Sequence, residues 1–361
     1  PKGNGLNSAE WYYGPQLRML GIYNLSARNL TGFFTAINAN LSYQKIEESR
    51  HNRNFNSSNR NSRIEKVDVY GLNIDFQRKK GKSDTRVGID GQYNTVNSTA
   101  FRTNIKTGER SALDTRYPDG KNEMYNMAIY ATNTYRITEK LILNEGLRLA
   151  QIGLNSNFAT KDFFPFPYDQ IKQNNTALSG NLGLVYLPDD KWKISLMGST
   201  GYRAPNVDDL SKVFESIPGR IIVPNPNLKP EKTYNGDLQI TKIFGKVVSW
   251  ENVFFYTLFK DALITDKYTF NGEDSIAYDG TKSAVFSVQN KQSAYIYGVS
   301  SNLYISLIDH INITGGLTYT YGRIDTDSSD YPLDHISPVY GRGGIKYYMN
   351  KVEAEAFVVF N

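Results

Sequence analysis

The spacing of the turns constrains this chain more than any other feature of its sequence. About fourteen segments alternate apolar and polar residues, as in 311–321, where the odd positions are largely apolar and the even ones small or polar. The connections between these segments are alternately short and long. Short ones lie at 138–139, 188–190, 244–245, 308–310 and 350–351, and long ones at 47–62, 97–121, 201–231, 261–291 and 325–338.

One tight end and one elaborate end are typical of an outer-membrane barrel, which has short periplasmic turns and long extracellular loops. A lipid-facing side and a wet lumen account for the two faces of each segment. Tyrosines near the segment ends, such as Tyr43, Tyr93 and Tyr319, suit the membrane interfaces. The sequence therefore predicts an all-β chain that forms a transmembrane antiparallel β-barrel.

Composition excludes several other classes. No apolar run reaches the roughly eighteen residues that a transmembrane helix needs. The chain has no cysteine, which excludes disulfides, thiol nucleophiles and thiolate metal sites. A net charge of +5 over 361 residues is too modest and too dispersed to indicate nucleic-acid binding. A soluble propeller or solenoid is disfavoured because no fixed repeat is present.

The sequence offers no catalytic motif. Its three histidines are His51, His310 and His335, and no zinc-protease, nucleophile-elbow or phosphate-loop pattern occurs. An outer-membrane enzyme would need catalytic residues clustered on the long-loop side, and the sequence has none. We therefore expect neither enzymatic activity nor a bound cofactor or metal.

Candidate ligand-binding residues lie on the long-loop side. Arg53 and Arg60 belong to a mixed, net basic segment at 47–62, which suits either a solvated loop touching lipopolysaccharide phosphates or capture of an anionic ligand. An aromatic run follows the segment that ends near residue 153, and it suits loop packing and a ligand wall equally well. These candidates are Arg53, Arg60, Phe164, Phe166, Tyr168, His51 and His335.

A proline-rich connection at 201–231 interrupts the alternation. Its prolines fix φ and remove amide donors, so this connection cannot continue a strand ladder, and 211–222 are predicted to be irregular. We expect Arg203, Asp208, Asp209 and Glu231 to pair within this loop and to hold it against the barrel rim, without touching ligand.

Two boxes in this connection resemble the paired barrel boxes of TonB-dependent outer-membrane receptors, and further motifs across nearly all of the chain resemble the same family. The first box contains Tyr202, Arg203, Pro205, Asn206 and Asp209, and the second contains Asn225, Pro226, Asn227, Leu228, Pro230 and Glu231. The further motifs are Glu10–Gln16, Glu47–Arg50, Thr115–Gly120 and His335–Pro338.

The resemblance implies a 22-stranded barrel in the Gram-negative outer membrane, filled by an N-terminal plug that a TonB–ExbB–ExbD complex pulls to admit a scarce ligand. Because about fourteen strands are readable, we expect residues 1–361 to be part of such a barrel, with the plug domain and further strands in a longer natural protein. Expected partners are outer-membrane lipid and lipopolysaccharide, a small-molecule chelate and other outer-membrane proteins.

The ligand class stays open at this point. An iron–siderophore or similar metal chelate is the first expectation, and haem and cobalamin are the alternatives. Haem receptors of the family carry a histidine between the two boxes, whereas this chain has none between Tyr202 and Asn227. A barrel that serves as a scaffold or adhesin without transport is the alternative from another functional class.

Overall fold

The computed structural model describes residues 8–163, 165–217, 219–278, 280–325, 330–333 and 336–361. These residues form twenty strands and one five-residue helix. No helix in these ranges is long and apolar enough to cross a membrane. The elements are β1 (Glu10–Tyr13), β2 (Leu17–Arg28), β3 (Ala36–Arg53), β4 (Asn59–Lys80), β5 (Ser83–Asn104), β6 (Arg110–Ala112), β7 (Asn122–Arg136), β8 (Leu141–Asn157), β9 (Gln170–Tyr186), β10 (Trp192–Arg203), α1 (Val207–Ser211), β11 (Phe214–Ile217), β12 (Arg220–Ile222), β13 (Glu231–Phe244), β14 (Val248–Lys267), β15 (Ser275–Tyr278), β16 (Thr281–Ile308), β17 (Ile311–Asp325), β18 (Asp330–Pro332), β19 (Val339–Met349) and β20 (Val352–Phe360).

Fourteen of the strands form an antiparallel meander. The short strand β1 precedes β2, and five others, β6, β11, β12, β15 and β18, belong to the long connections. Each of the remaining fourteen strands pairs with the next along the chain, from β2 to β20. No pairing joins β2 with β20 within the described ranges. The predicted strand number and antiparallel barrel-type sheet are confirmed.

The long connections are shorter than the sequence predicts, because strands continue into them. The predicted loop at 47–62 is wrong, since β3 runs to Arg53 and pairs with β4 up to Asn61. The predicted loop at 261–291 is likewise wrong, since β14 reaches Lys267 and β16 begins at Thr281. The predicted irregular stretch at 211–222 instead contains the last residue of α1, β11 and β12. The extension at 47–62 is polar on both faces, whereas the one at 261–291 contains apolar residues such as Leu263 and Val285 that pack into a core. Neither extension shows the apolar alternation that marks a membrane strand.

The outer face of the sheet is apolar and carries a row of tyrosines. Tyr43, Tyr70, Tyr93 and Tyr125 lie directly opposite one another on four successive strands. Apolar residues such as Leu41 precede this row, and charged residues follow it. Such a row marks the upper boundary of a membrane-facing band.

The inner face is polar. The Tyr130 hydroxyl donates to Asp75 and accepts from Asn73 Nδ2 at 3.3 Å. Arg148 forms an ion pair with Asp90, with Nη2 at 2.8 Å from Oδ1. Hydrogen-bonded polar side chains on this face suit a water-filled or protein-filled lumen.

The main hydrophobic core lies at the end of the sheet that carries the long connections, here called the mouth. Strands β8, β9 and β16 contribute residues to it, and the connections contribute the rest. We call this folded layer the cap, and its buried members are Leu154, Phe158, Phe166, Ile171, Val207, Leu210, Val213, Ile221, Val223, Leu228, Phe270 and Val285.

Candidate ligand-binding mouth

Helix α1 begins with a capping box. The Asn206 side chain accepts a hydrogen bond from the Asp209 amide at 3.0 Å, and the Asp209 carboxylate accepts one from the Asn206 amide at 3.0 Å. Arg203 Nη2 lies 2.8 Å from both Asp209 oxygens. Asp209 therefore closes the start of the helix and ties it to the end of β10.

The neighbouring carboxylate of the helix, Asp208, joins α1 to the segment before β7. The Tyr117 hydroxyl donates to Asp208 Oδ1 at 2.8 Å, and Lys212 Nζ lies 2.5 Å from Oδ2. Burial by itself would raise the pKa of Asp208, but the hydrogen bond from Lys212, with Tyr117 and Arg116 beside it, holds that pKa below its usual value. Burial raises the pKa of Tyr117 to about 12, so its hydroxyl stays a donor. This contact holds the first box over the inner face of the sheet.

Side-chain amides from two strands hold the second box in an extended path. Gln173 Nε2 donates to the carbonyl oxygens of Pro226 and Leu228 at 3.3 and 2.8 Å. On the other side, the Asn290 side chain accepts from the Lys229 amide at 2.7 Å and donates to the Lys229 carbonyl at 2.9 Å. The prolines of this segment have no amide donor, so the segment cannot form a strand ladder. The Gln173 and Asn290 side chains bind the backbone carbonyls that would otherwise stay unpaired.

A buried carboxylate joins segments that are far apart in the chain. Arg63 Nη2 on β4 lies 3.0 and 3.1 Å from the two oxygens of Asp114, and the Tyr278 hydroxyl on β15 donates to Asp114 Oδ2 at 2.7 Å. Burial raises the pKa of Tyr278, so this hydroxyl also stays protonated. Asp114 thus fastens the β15 hairpin to β4, although β16, the strand that pairs with β15, lies eight positions from β4 in the meander.

A small cavity lies beneath the cap. Its volume is about 60 Å³, and Asp114, Tyr117, Phe163 and Phe166 are among the residues that line it. That volume would accommodate water molecules but is far too small for a metal chelate. In the described ranges no group of three or more His, Asp or Glu side chains is placed to hold a metal ion.

The inner wall beside β1 carries exposed aromatic rings and the Arg50 guanidinium, which forms ion pairs with both Glu48 and Glu65. Trp11 and Tyr13 are 69% and 53% exposed, and the register places Tyr13 opposite Arg50. The Arg50 guanidinium lies 5.8 Å from the Tyr13 ring centre and 2.9 Å from Glu65. Burial raises the pKa of Glu65, against the opposing effect of the Arg50 charge. Exposed aromatic rings beside a guanidinium suit an aromatic or anionic ligand.

The predicted site residues on β3 and β4 already have partners in the protein. His51 stacks on Tyr12 with ring centres 4.7 Å apart, and its Nδ1 lies 2.9 Å from Ser62 Oγ. Burial and the nearby Arg60 charge lower the pKa of His51, so its ring is neutral at pH 7. Arg53 forms an ion pair with Glu10 at 3.0 Å. The register places His51, Arg53 and Arg60 on the outer face, whereas Arg50 lies on the inner one.

The predicted aromatic residues divide between the cap and the part of the chain left undescribed. Phe166 is 7% exposed and packs against Phe158 and Phe270. Tyr168 packs on the same cluster. These two rings could reach a ligand only if the cap opened. Phe164 and His335 lie outside the described residues.

The residues assigned to the boxes all pack or bond within the mouth. Tyr202 packs against the small residues Ala128, Ala150 and Ala177, and Glu231 accepts from the Leu263 amide at 2.9 Å. Sequence reasoning missed the partners of the boxes, namely Tyr117, Gln173 and Asn290, and the separate contact between Asp114 and Tyr278. Only Tyr117 carried a signal, because it belongs to the Thr115–Gly120 motif.

Comparison with known proteins assigns the fold to a family. Residues 1–357 match the model of the TonB-dependent receptor-like β-barrel. The chain belongs to the TonB-dependent receptor family. This receptor chain also resembles the copper transporter OprC, with a TM-score of 0.78 and 17% identity over 94% of this chain and 53% of that one. The hemophore receptor HasR of Serratia marcescens, solved with HasA and heme, gives a TM-score of 0.72 and 10% identity over 96% and 58%.

Curated relatives match about half of the chain. A probable hemoglobin and hemoglobin-haptoglobin-binding protein of Haemophilus influenzae is 26% identical over 177 residues, which are 47% of this chain and 17% of that protein. An iron-regulated outer membrane virulence protein of Vibrio cholerae is 24% identical over 156 residues, which are 43% of this chain and 24% of that protein. The alignments therefore span a quarter or less of these relatives.

Proposed function

We propose that this chain forms most of the barrel of an outer-membrane receptor that takes up an iron-bearing ligand by TonB-dependent transport. The observation that carries the proposal is the inner wall of the mouth, where exposed Trp11 and Tyr13 stand beside Arg50. A ferric siderophore of the catecholate type presents an aromatic, anionic surface, which suits exposed rings beside a guanidinium. A plug domain and the TonB–ExbB–ExbD complex belong to the same proposal.

Fluorescence titration of the full-length receptor tests this ligand class. Ferric siderophores of the catecholate, hydroxamate and carboxylate types are added separately, and quenching of Trp11 reports binding at the wall. Trp11→Phe should abolish most of the quenching, and Arg50→Gln should weaken binding about tenfold. Trp250→Phe is the matched control, because Trp250 lies on the outer face and hydrogen-bonds to Ser301. Binding of none of the three types, or undiminished quenching in Trp11→Phe, would contradict the siderophore proposal.

Haem is a second candidate, because a matching relative is named as a hemoglobin-binding protein. Neutral His51 is the described histidine on the long-connection side, although it lies on the outer face and must leave its stack on Tyr12 before it can bind haem iron. Haemin added to the full-length receptor should then shift its Soret band, and His51→Ala or His335→Ala should remove the shift. An unshifted band with wild-type receptor would rule this candidate out.

A further inference from the structure

The outer face of β13 and β14 shows both boundaries of a membrane-facing band. Phe244 and Trp250 lie near the short connection, and Tyr234 and Tyr256 lie toward the mouth. The ten residue-to-residue steps from Tyr234 to Phe244 rise about 25 Å at a strand tilt of about 40°. That height matches the apolar band of an outer-membrane barrel.

Two lysines lie directly opposite each other just above this band. Lys232 and Lys260 are paired in register. They lie on the same face as the Tyr234–Leu258 pair and two residues beyond it along each strand. Both are exposed, and Lys260 Nζ lies 5.7 Å from the Tyr234 ring centre. Like charges that face each other across two strands repel and destabilise the sheet. An anion bound between them would remove that repulsion.

No carboxylate of the described chain supplies this anion. Neither Lys232 nor Lys260 has an ion-pair partner within 4 Å among the residues that the structure describes. The adjacent Glu231 belongs to the opposite face, where it accepts from the Leu263 amide. Asp325 is in the same row but two strands away, on the far side of Ser293, and Ser293 Oγ lies 3.5 Å from it. At about 4.8 Å per strand, Asp325 stands about 10 Å from Lys260.

We propose that Lys232 and Lys260 bind a phosphate group of a lipid headgroup in the outer leaflet. Their height just above the tyrosines is where phosphorylated headgroups lie, and two ammonium groups on one face match the charge of a phosphate. The lipid acyl chains would cover the apolar face below, around Leu238 and Phe254. This inference rests on the outer-membrane placement in the proposed function.

Lipid titration of the full-length receptor in detergent tests this site. Native mass spectrometry counts bound lipid when lipid A with both phosphates, or the same lipid without phosphate, is added. Wild type should prefer the phosphorylated lipid, and Lys232→Gln with Lys260→Gln should weaken its binding by on the order of tenfold. The double Arg variant at both positions should keep the preference, because it keeps the charge.

The matched control removes two exposed lysines from the opposite end, by Lys246→Gln and Lys351→Gln, and should bind as wild type does. Equal binding of both lipids by wild type, or wild-type binding by the double Gln variant, would overturn the proposal. Titration of an iron ligand on the same samples separates the two proposals. If wild type binds no ferric siderophore but still prefers the phosphorylated lipid, the proposed function is refuted and the lipid site is not.

Discussion

At the scale of single residues, three carboxylates determine where the connections of the mouth attach. Asp209 closes the start of α1, Asp208 takes the Tyr117 hydroxyl, and Asp114 joins Arg63 to Tyr278. Each takes hydrogen bonds from a different segment, so each fixes one contact in a layer that has little regular structure. Hydrogen bonds to a charged group are the stronger ones, which makes these carboxylates effective in that role.

Arg203→Ala is expected to impair assembly of the mouth more than ligand affinity. Arg203 contacts Asp209 through both carboxylate oxygens but is 45% exposed, so its loss should cost about 0.5–1 kcal/mol. Protease resistance of 204–230 on intact cells measures assembly, and ligand titration of the surviving receptor measures affinity. Arg203→Lys, which keeps the charge without the fork, should lie between. A large loss of affinity with normal protease resistance would make Arg203 a ligand residue.

Acid should loosen the contact between α1 and the segment before β7. Because folding lowers the pKa of Asp208, its contribution to stability is complete above the ordinary carboxyl pKa of about 4 and is lost as the pH falls through the lower folded value. Hydrogen exchange at the Val213 amide, which donates to the Arg116 carbonyl, should therefore speed up below about pH 4 beyond its intrinsic change. Asp208→Asn should show faster exchange at neutral pH and lose this acid dependence. An unchanged profile in the variant would assign the effect to another group.

At the scale of elements, the membrane portion of each strand could be read from the sequence. The alternation at 122–136 and 339–349 predicts strands, and the structure has β7 and β19 over these residues. Period-two alternation specifies them because lipid and lumen impose opposite demands on the two faces. The extensions at 47–62 and 261–291 could not be read, because the first is polar on both faces and the second packs residues such as Val285 into the cap. The Arg63–Asp114–Tyr278 contact was equally hidden, since it depends on how the strands are arranged around the sheet.

One glycine on β16 allows close packing of the neighbouring strands. A Cβ atom at Gly298 would lie 2.2 Å from the Tyr319 carbonyl oxygen and 2.6 Å from the Phe255 ring. Gly298→Ala should therefore force β16 and β17 apart and cost about 2 kcal/mol or more. Gly236→Ala on β13 is the control, since nothing lies within 4 Å of that position. Heat-modified gel mobility of the full-length receptor measures the difference, and equal midpoints for the two variants would contradict it.

At the scale of the whole molecule, the cap is a packed layer with its own core, whereas the sheet is open at two edges. The cap is complete enough to bury a core and joins β4 to β15 through Asp114. The sheet has unpaired edges at β2 and β20 within the described ranges, and both strands are exposed along nearly their whole length. An unpaired edge in lipid leaves backbone groups without hydrogen bonds, at several kcal/mol each.

Residues 1–361 expressed alone should therefore fail to insert as a stable barrel. We expect aggregation or non-native pairing through β2 and β20, because exposed apolar edge strands pair with any available chain. The measurement is folding into lipid vesicles, followed by heat-modified mobility and protease protection, with the natural gene product as the comparison. The natural product should be heavier than the 40.9 kDa of these residues and should fold. Stable insertion of residues 1–361 alone would mean that β2 and β20 pair with each other. An intact mass near 41 kDa for the native protein would contradict the prediction of a longer receptor.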